Sequence, residues 1–122
     1  MEIELRQIIK ATLEDIPVNW GWPPEGQKMP HVTLVSGSAS RTYSHDAPDQ
    51  IMYRRVQVDV WAAKEAEAAA IRDKIIASTD GARFTEGKLR SVFIEDEGYE
   101  AGKDADNPYH RYIIDLQVWF EK

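Results

Sequence analysis

The side chains able to do chemistry are few and widely spaced. His31, His45 and His110 contain no pair at i, i+4, so they lack the spacing by which one helix face holds a zinc ion. They read as single histidines in loops or at strand ends. No cysteine is present, which removes disulfides, thiolate metal sites and a cysteine nucleophile. Asp59 and Asp115 sit in matching contexts and could share a sheet face. A carboxylate pair can run acid–base chemistry, but solvated or interface-paired acids are the simpler reading. Asp104-Ala-Asp-Asn107 offers oxygen ligands without the central glycine and terminal glutamate of an EF-hand. There is no P-loop, GxGxxG or GxSxG pattern. No catalytic, cofactor-binding or metal-binding residue follows, and an enzyme is not expected.

The elements that must position these residues are clearer. Residues 55–62, Arg-Val-Gln-Val-Asp-Val-Trp-Ala, alternate apolar even positions with Arg55, Gln57, Asp59 and Trp61, the period of a half-buried strand. Helical spacing follows at once: Ala68, Ile71 and Ile75 form a stripe, and Gly81 is placed to stop the helix. With no linker between them, this helix should fold back over the valines of its own strand. Residues 114–119, Ile-Asp-Leu-Gln-Val-Trp, repeat the first pattern with Asp115, Gln117 and Trp119 at the odd positions. Two strands of one sheet are expected, with even positions under the helices. The odd face then carries Gln57, Asp59, Trp61, Asp115, Gln117 and Trp119, too aromatic for a purely solvated surface. These six are the candidate subunit or partner contacts. Alternatively, the two tryptophans wrap round the sheet edge into their own core.

Along the rest of the chain, Leu5, Ile8, Ile9, Leu13 and Ile16 predict an amphipathic helix over residues 3–16, ended by Pro17. Residues 18–26 form a loop whose Trp20 and Trp22 should plug the end of the core. Residues 31–35 are a strand, and residues 36–50 a long polar arm. Its Arg41 and Tyr43 are further contact candidates, and residues 41–50 should become ordered on a partner. A strand over 88–95 has ambiguous faces, which a bulge would explain. An acidic loop at 96–108 and a last strand over 109–121 complete the order α-β-β-α-β-β. The fold class is α+β: a roughly four-stranded sheet, mainly antiparallel or mixed, with two helices on one face.

Composition bounds the partners. The 122 residues suit one domain, residues 1–122. Net charge is −6, which argues against nucleic-acid binding as the main task. Most of that acidity lies in residues 95–106, where six acids meet one lysine. No apolar run approaches the ~18 residues of a membrane span, and the acidic start lacks the basic-then-apolar pattern of a signal peptide. A soluble protein made inside the cell is expected.

Taken in order, these pieces resemble a known family. They are the N-terminal helix, the Pro-His-Val-Thr-Leu strand with its Ser-Gly, the polar arm, and Arg-Val-Gln-Val-Asp-Val-Trp-Ala. The helix of small and aliphatic residues, the Phe-Ile-Glu-Asp-Glu strand and the closing Tyr-His-Arg-Tyr-Ile-Ile-Asp-Leu-Gln-Val-Trp complete the set. Together they resemble the tail-completion (tail terminator) proteins of long-tailed bacteriophages, prophages and gene transfer agents. The likeness runs from Leu5 to Trp119 and departs at Trp20-Gly-Trp-Pro23, where the family pattern has a shorter turn. It implies a structural virion protein, made in the bacterial cytoplasm and located at the head-proximal end of the tail. It further implies a homo-hexameric ring that caps the tail tube, ends tube polymerisation and meets the head–tail connector protein. DNA would pass through the lumen without specific binding, and no cofactor or membrane is involved. Two other classes stay open: a neck or head–tail connector protein, and a small cytosolic α+β enzyme or binding domain.

Overall fold

The apolar stripes and alternations dictate where the core must lie. The computed structural model describes residues 1–22, 27–43, 48–104 and 107–121, and places helix α1 at Glu2–Leu13. Strands β1 (Val18–Trp20), β2 (His31–Tyr43) and β3 (Pro48–Ala62) follow, then helix α2 (Glu65–Thr79). Strands β4 (Ala82–Arg83), β5 (Leu89–Asp104) and β6 (Asn107–Glu121) complete the chain. The sheet has six strands in the order β1-β2-β3-β6-β5-β4. All pairings are antiparallel except β1 with β2, so the sheet is mixed.

The α+β class and the two helices on one face agree with the sequence. Leu5, Ile9 and Leu13 of α1 and Ala68, Ile71 and Ile75 of α2 are buried in one cluster with Val56, Val58, Val60, Ile114, Leu116 and Val118. The even positions of β3 and β6 therefore face the helices, as their alternation requires. The turn after α2 is made at Gly81, whose φ of 73° is a left-handed value that suits glycine.

Four expectations are corrected. The sheet is not four-stranded: β1 and β4 are only three and two residues long, too short to show a period of their own. Trp22 does not plug the core; it is 94% exposed, while Trp20 packs against the core and donates Nε1–H to the Glu2 carbonyl at 3.2 Å. The polar arm is strand where it is described, β2 running to Tyr43 and β3 starting at Pro48, and residues 44–47 and His45 lie outside the described residues. The acidic loop is strand as well, since β5 runs to Asp104 and β6 starts at Asn107. Acids and glycines disfavour strands in isolation, but pairing with β6 decides here.

Strand β5 also explains its own ambiguous pattern. Register shifts fall between Leu89 and Ser91 and between Ile94 and Asp96. Each is a bulge in which one extra residue reverses the alternation. Leu89 opposes Phe120, Val92 opposes Val118 and Glu97 opposes Ile114, so the residues toward the helices pass from odd to even and back to odd.

Candidate functional site

The helix-free face of the sheet gathers the marked residues. Gln57 and Asp115 are direct cross-strand partners, Trp61 lies opposite Arg111 and Trp119 opposite Tyr53. Strand β2 adds His31, Thr33 and Val35, opposite Trp61, Asp59 and Gln57. Strand β5 adds Asp96, Glu100 and Gly102, opposite Asp115, Arg111 and Tyr109. Neither Trp61 nor Trp119 enters the buried core; both are half-buried on this outer face. The side chains of Arg41 and Tyr43 lie outside the described residues.

Asp59 is the centre of the face. It is 5% exposed, and Arg111 Nη2 donates to its Oδ2 at 2.8 Å. Gln57 Nε2 reaches both carboxylate oxygens, at 3.0 and 3.2 Å. A buried carboxylate so paired acts as a structural counter-ion to Arg111. The Arg111 guanidinium lies 4.9 Å over the Trp61 ring, a cation–π distance, with Glu100 a further 3.8 Å partner. Trp61 is flanked in turn by His31, near-parallel at 6.0 Å, and by Tyr109 at 5.4 Å. The Tyr109 hydroxyl donates to Glu100 at 2.8 Å, and its ring lies so close over Gly102 that a Cβ there would meet the hydroxyl oxygen at 2.8 Å. Glycine at position 102 makes room for that ring.

Further along the same face, Trp119 packs tilted against Tyr53, their ring centroids 4.9 Å apart, and donates Nε1–H to Gln117 at 3.0 Å. Arg55 pairs with Glu95 at 2.9 Å and holds that carboxyl below its ordinary range. Asp115 is pushed the other way: burial raises it, and Asp96, Glu95 and Asp59 add like charge that Arg55 only partly offsets. Burial lowers His31, favouring the neutral imidazole against Trp61. A concavity of about 1320 Å³ lies over the Asp59 end, walled by Trp22 and Lys28 on one side and by Lys103 and Tyr109 on the other.

This arrangement offers flat aromatic surface, paired charges and amides rather than a nucleophile beside a base. Among the described residues no group of three or more His, Cys, Asp or Glu side chains is placed to hold a metal, and no helix is long and apolar enough to cross a membrane. Sequence reasoning missed Arg111, Tyr109 and Val35. The signal was present, since the odd-numbered phase of Asp115 and Gln117 extends back along the strand to Arg111 and Tyr109.

Residues 6–121 match the family described as tail completion protein gp17. The chain belongs to the tail completion protein gp17 family. It is a structural protein of the virion tail. No curated protein is a significant match to its sequence. The fold of this tail completion protein is similar to that of a chain in the virion of a native gene transfer agent (GTA) particle, with a TM-score of 0.65. The two are 15% identical over 97% of this chain and 92% of that one. The likeness is one of fold, and it spans the helices and the sheet together.

Proposed function

We propose that this tail completion protein assembles as a homo-hexameric ring on the end of the tail tube. There it ends tube polymerisation and presents the surface that meets the head–tail connector protein. The observation that carries the reading is the outer sheet face: two half-buried tryptophans among pre-paired ions, with both helices on the opposite side. Aromatic and arginine anchors framed by polar groups are the composition of a protein–protein interface. Because Asp59 and Arg111 already neutralise each other, burying them against another chain strands no charge. The acidity of β5 and the net charge of −6 suit a passage that DNA crosses without adhering.

The test uses purified protein and tail tubes. Light scattering after gel filtration should show a ring or a monomer–ring equilibrium. Electron micrographs should show the protein at one end of each tube, and capped tubes should no longer elongate when tube protein is added. A fixed monomer that leaves tube growth unchanged defeats the proposal, and a protein bound to connectors but never to tubes makes it a neck component instead.

A further inference from the structure

The sheet is blunted at only half of each edge. On the β2 side, β1 pairs with Val32, Thr33 and Leu34, and the last outward bond is from Gly21 N–H to the Leu34 carbonyl. Among the described residues no strand follows outside β2 along residues 36–43. On the β5 side, β4 pairs with Ser91 and Val92, and Asp80 caps the Ile94 N–H at 3.2 Å. Beyond it, residues 95–104 have no outer strand among the described residues. Each open stretch turns alternate N–H and C=O groups outward, a template for another strand.

We infer that the open edge of β5 in one copy of this chain pairs with the open edge of β2 in the next, so that the sheet continues from subunit to subunit. The inference rests on the ring proposed above and names the contact that would build it. Three observations select this pairing. The first is direction: β2, β3, β6 and β5 alternate, so β5 and β2 run oppositely. Copies related by rotation about an axis along the strands therefore meet antiparallel. The second is charge. The β5 edge carries Glu95, Asp96, Glu97, Glu100 and Asp104 against Lys103, whereas residues 36–43 carry Arg41 and no acid. Two β5 edges would set acid against acid, which disfavours the two-fold alternative, and β5 against β2 does not. The third is closure: a joint between two different edges is heterologous, and such joints close into rings or extend as filaments.

The register also fixes the geometry of the joint. Asp96 opposes Asp115, Asp115 opposes Gln57 and Gln57 opposes Val35, so Val35 and Asp96 lie at one level of the sheet. The open stretches run from that level toward opposite ends and occupy diagonal corners. Joining them staggers each copy against its neighbour by about 26 Å, the length of residues 36–43 at ~3.3 Å per residue. In a closed ring that stagger inclines the strands to the ring axis, as shear does in a barrel.

The absence of cysteine gives a clean background for the test. Ser36→Cys and Ala39→Cys, which a bulge in β2 leaves on one face, are each mixed with Glu97→Cys, Tyr99→Cys and Ala101→Cys, assembled on tail tubes and treated with a mild oxidant. Facing residues of antiparallel strands have Cα atoms about 4.5–5.5 Å apart, within disulfide reach. At least one mixed pair should cross-link to completion, and no single variant should cross-link with itself. Hydrogen exchange on the unaltered protein provides a measurement free of substitutions: residues 36–43 and 95–104 should both gain protection on assembly. Assembled rings without mixed cross-links and without that protection overturn the inference while leaving the ring intact. Self-cross-linking of a β5 variant overturns it in favour of a two-fold joint. Unaltered protein that never assembles overturns both.

Discussion

Replacing Arg111 with methionine should cost more stability than replacing Asp59 with leucine, although both changes break one ion pair. The Asp59 side chain is 7% exposed and that of Arg111 21%. Without Arg111, a buried anion keeps only the Gln57 amide, and stranding one charge of a buried pair costs about 3–5 kcal/mol. The concavity wets one side of this pair, which places the loss at the lower end, ~3 kcal/mol. Without Asp59, the guanidinium still has Glu100 at 3.8 Å and the Trp61 ring at 4.9 Å. That loss should stay near 1–2 kcal/mol, the scale of one hydrogen bond to a charged group. Combining Asp59→Leu with Arg111→Met removes both charges and should restore stability to within ~1–2 kcal/mol of the parent. Urea unfolding followed by tryptophan fluorescence measures all three, with an unchanged m value confirming a common fold. Equal losses, or a greater loss for Asp59→Leu, would refute the view that Asp59 depends on Arg111 more than Arg111 depends on Asp59.

Leu116 is fully buried beneath the helices, so Leu116→Ala should lower the unfolding free energy by about 2–5 kcal/mol; a smaller loss in urea unfolding would place the core elsewhere. Asp115 is held above the ordinary carboxylate range by burial and by its acidic neighbours. The folded state thus binds this proton more tightly than the unfolded state, and stability drops as pH rises through the raised value. Asp115→Asn should melt higher than the parent at pH 7, and the gap should close below about pH 4, the unfolded value; a gap independent of pH refutes that account. Trp61→Ala and Trp119→Ala should abolish ring formation or tail joining while the monomer stays folded, since truncating an interface anchor costs about 2 kcal/mol or more of binding. Lower melting with normal assembly would assign both rings to the subunit's own stability.

What was legible in the sequence follows the strength of each repeating pattern. The alternation in residues 55–62 and 114–119 predicted which side of β3 and β6 meets the helices, because a one-residue slip would have exposed every valine. The stripe of Ala68, Ile71 and Ile75 located α2 for the same reason. The first half of β5 was legible as a strand but not in its faces, because its pattern breaks at both bulges; its acidic second half was hidden, since only pairing with β6 holds it extended. Strands β1 and β4 were invisible for want of length. On the outer face, Asp59 could be placed but its partner could not, since alternation gives a side chain's side and not its neighbour across the sheet. Arg111 becomes its counter-ion through the diagonal between β3 and β6, a relation of register rather than of composition.

The two bulges of β5 make the hairpin behave like a reading frame. Deleting Arg90 or Glu95 removes the extra residue of one bulge and leaves every remaining side chain on its present face. Deleting a paired residue of the regular stretch, such as Gly98, instead forces the side chains on one side of the deletion to exchange faces. Tyr99 would then move to the aromatic side and Glu100 toward the helices, or else Glu95 would enter the ladder and turn Asp96 toward the helices. Inserting one residue a few positions beyond such a deletion restores the phase from there on, as a second frameshift suppresses a first. Single deletions should therefore be tolerated at the two bulge residues, and should disrupt folding in the regular stretch unless compensated, whereas substitutions at the exposed acids of this strand should pass with little effect on the subunit itself.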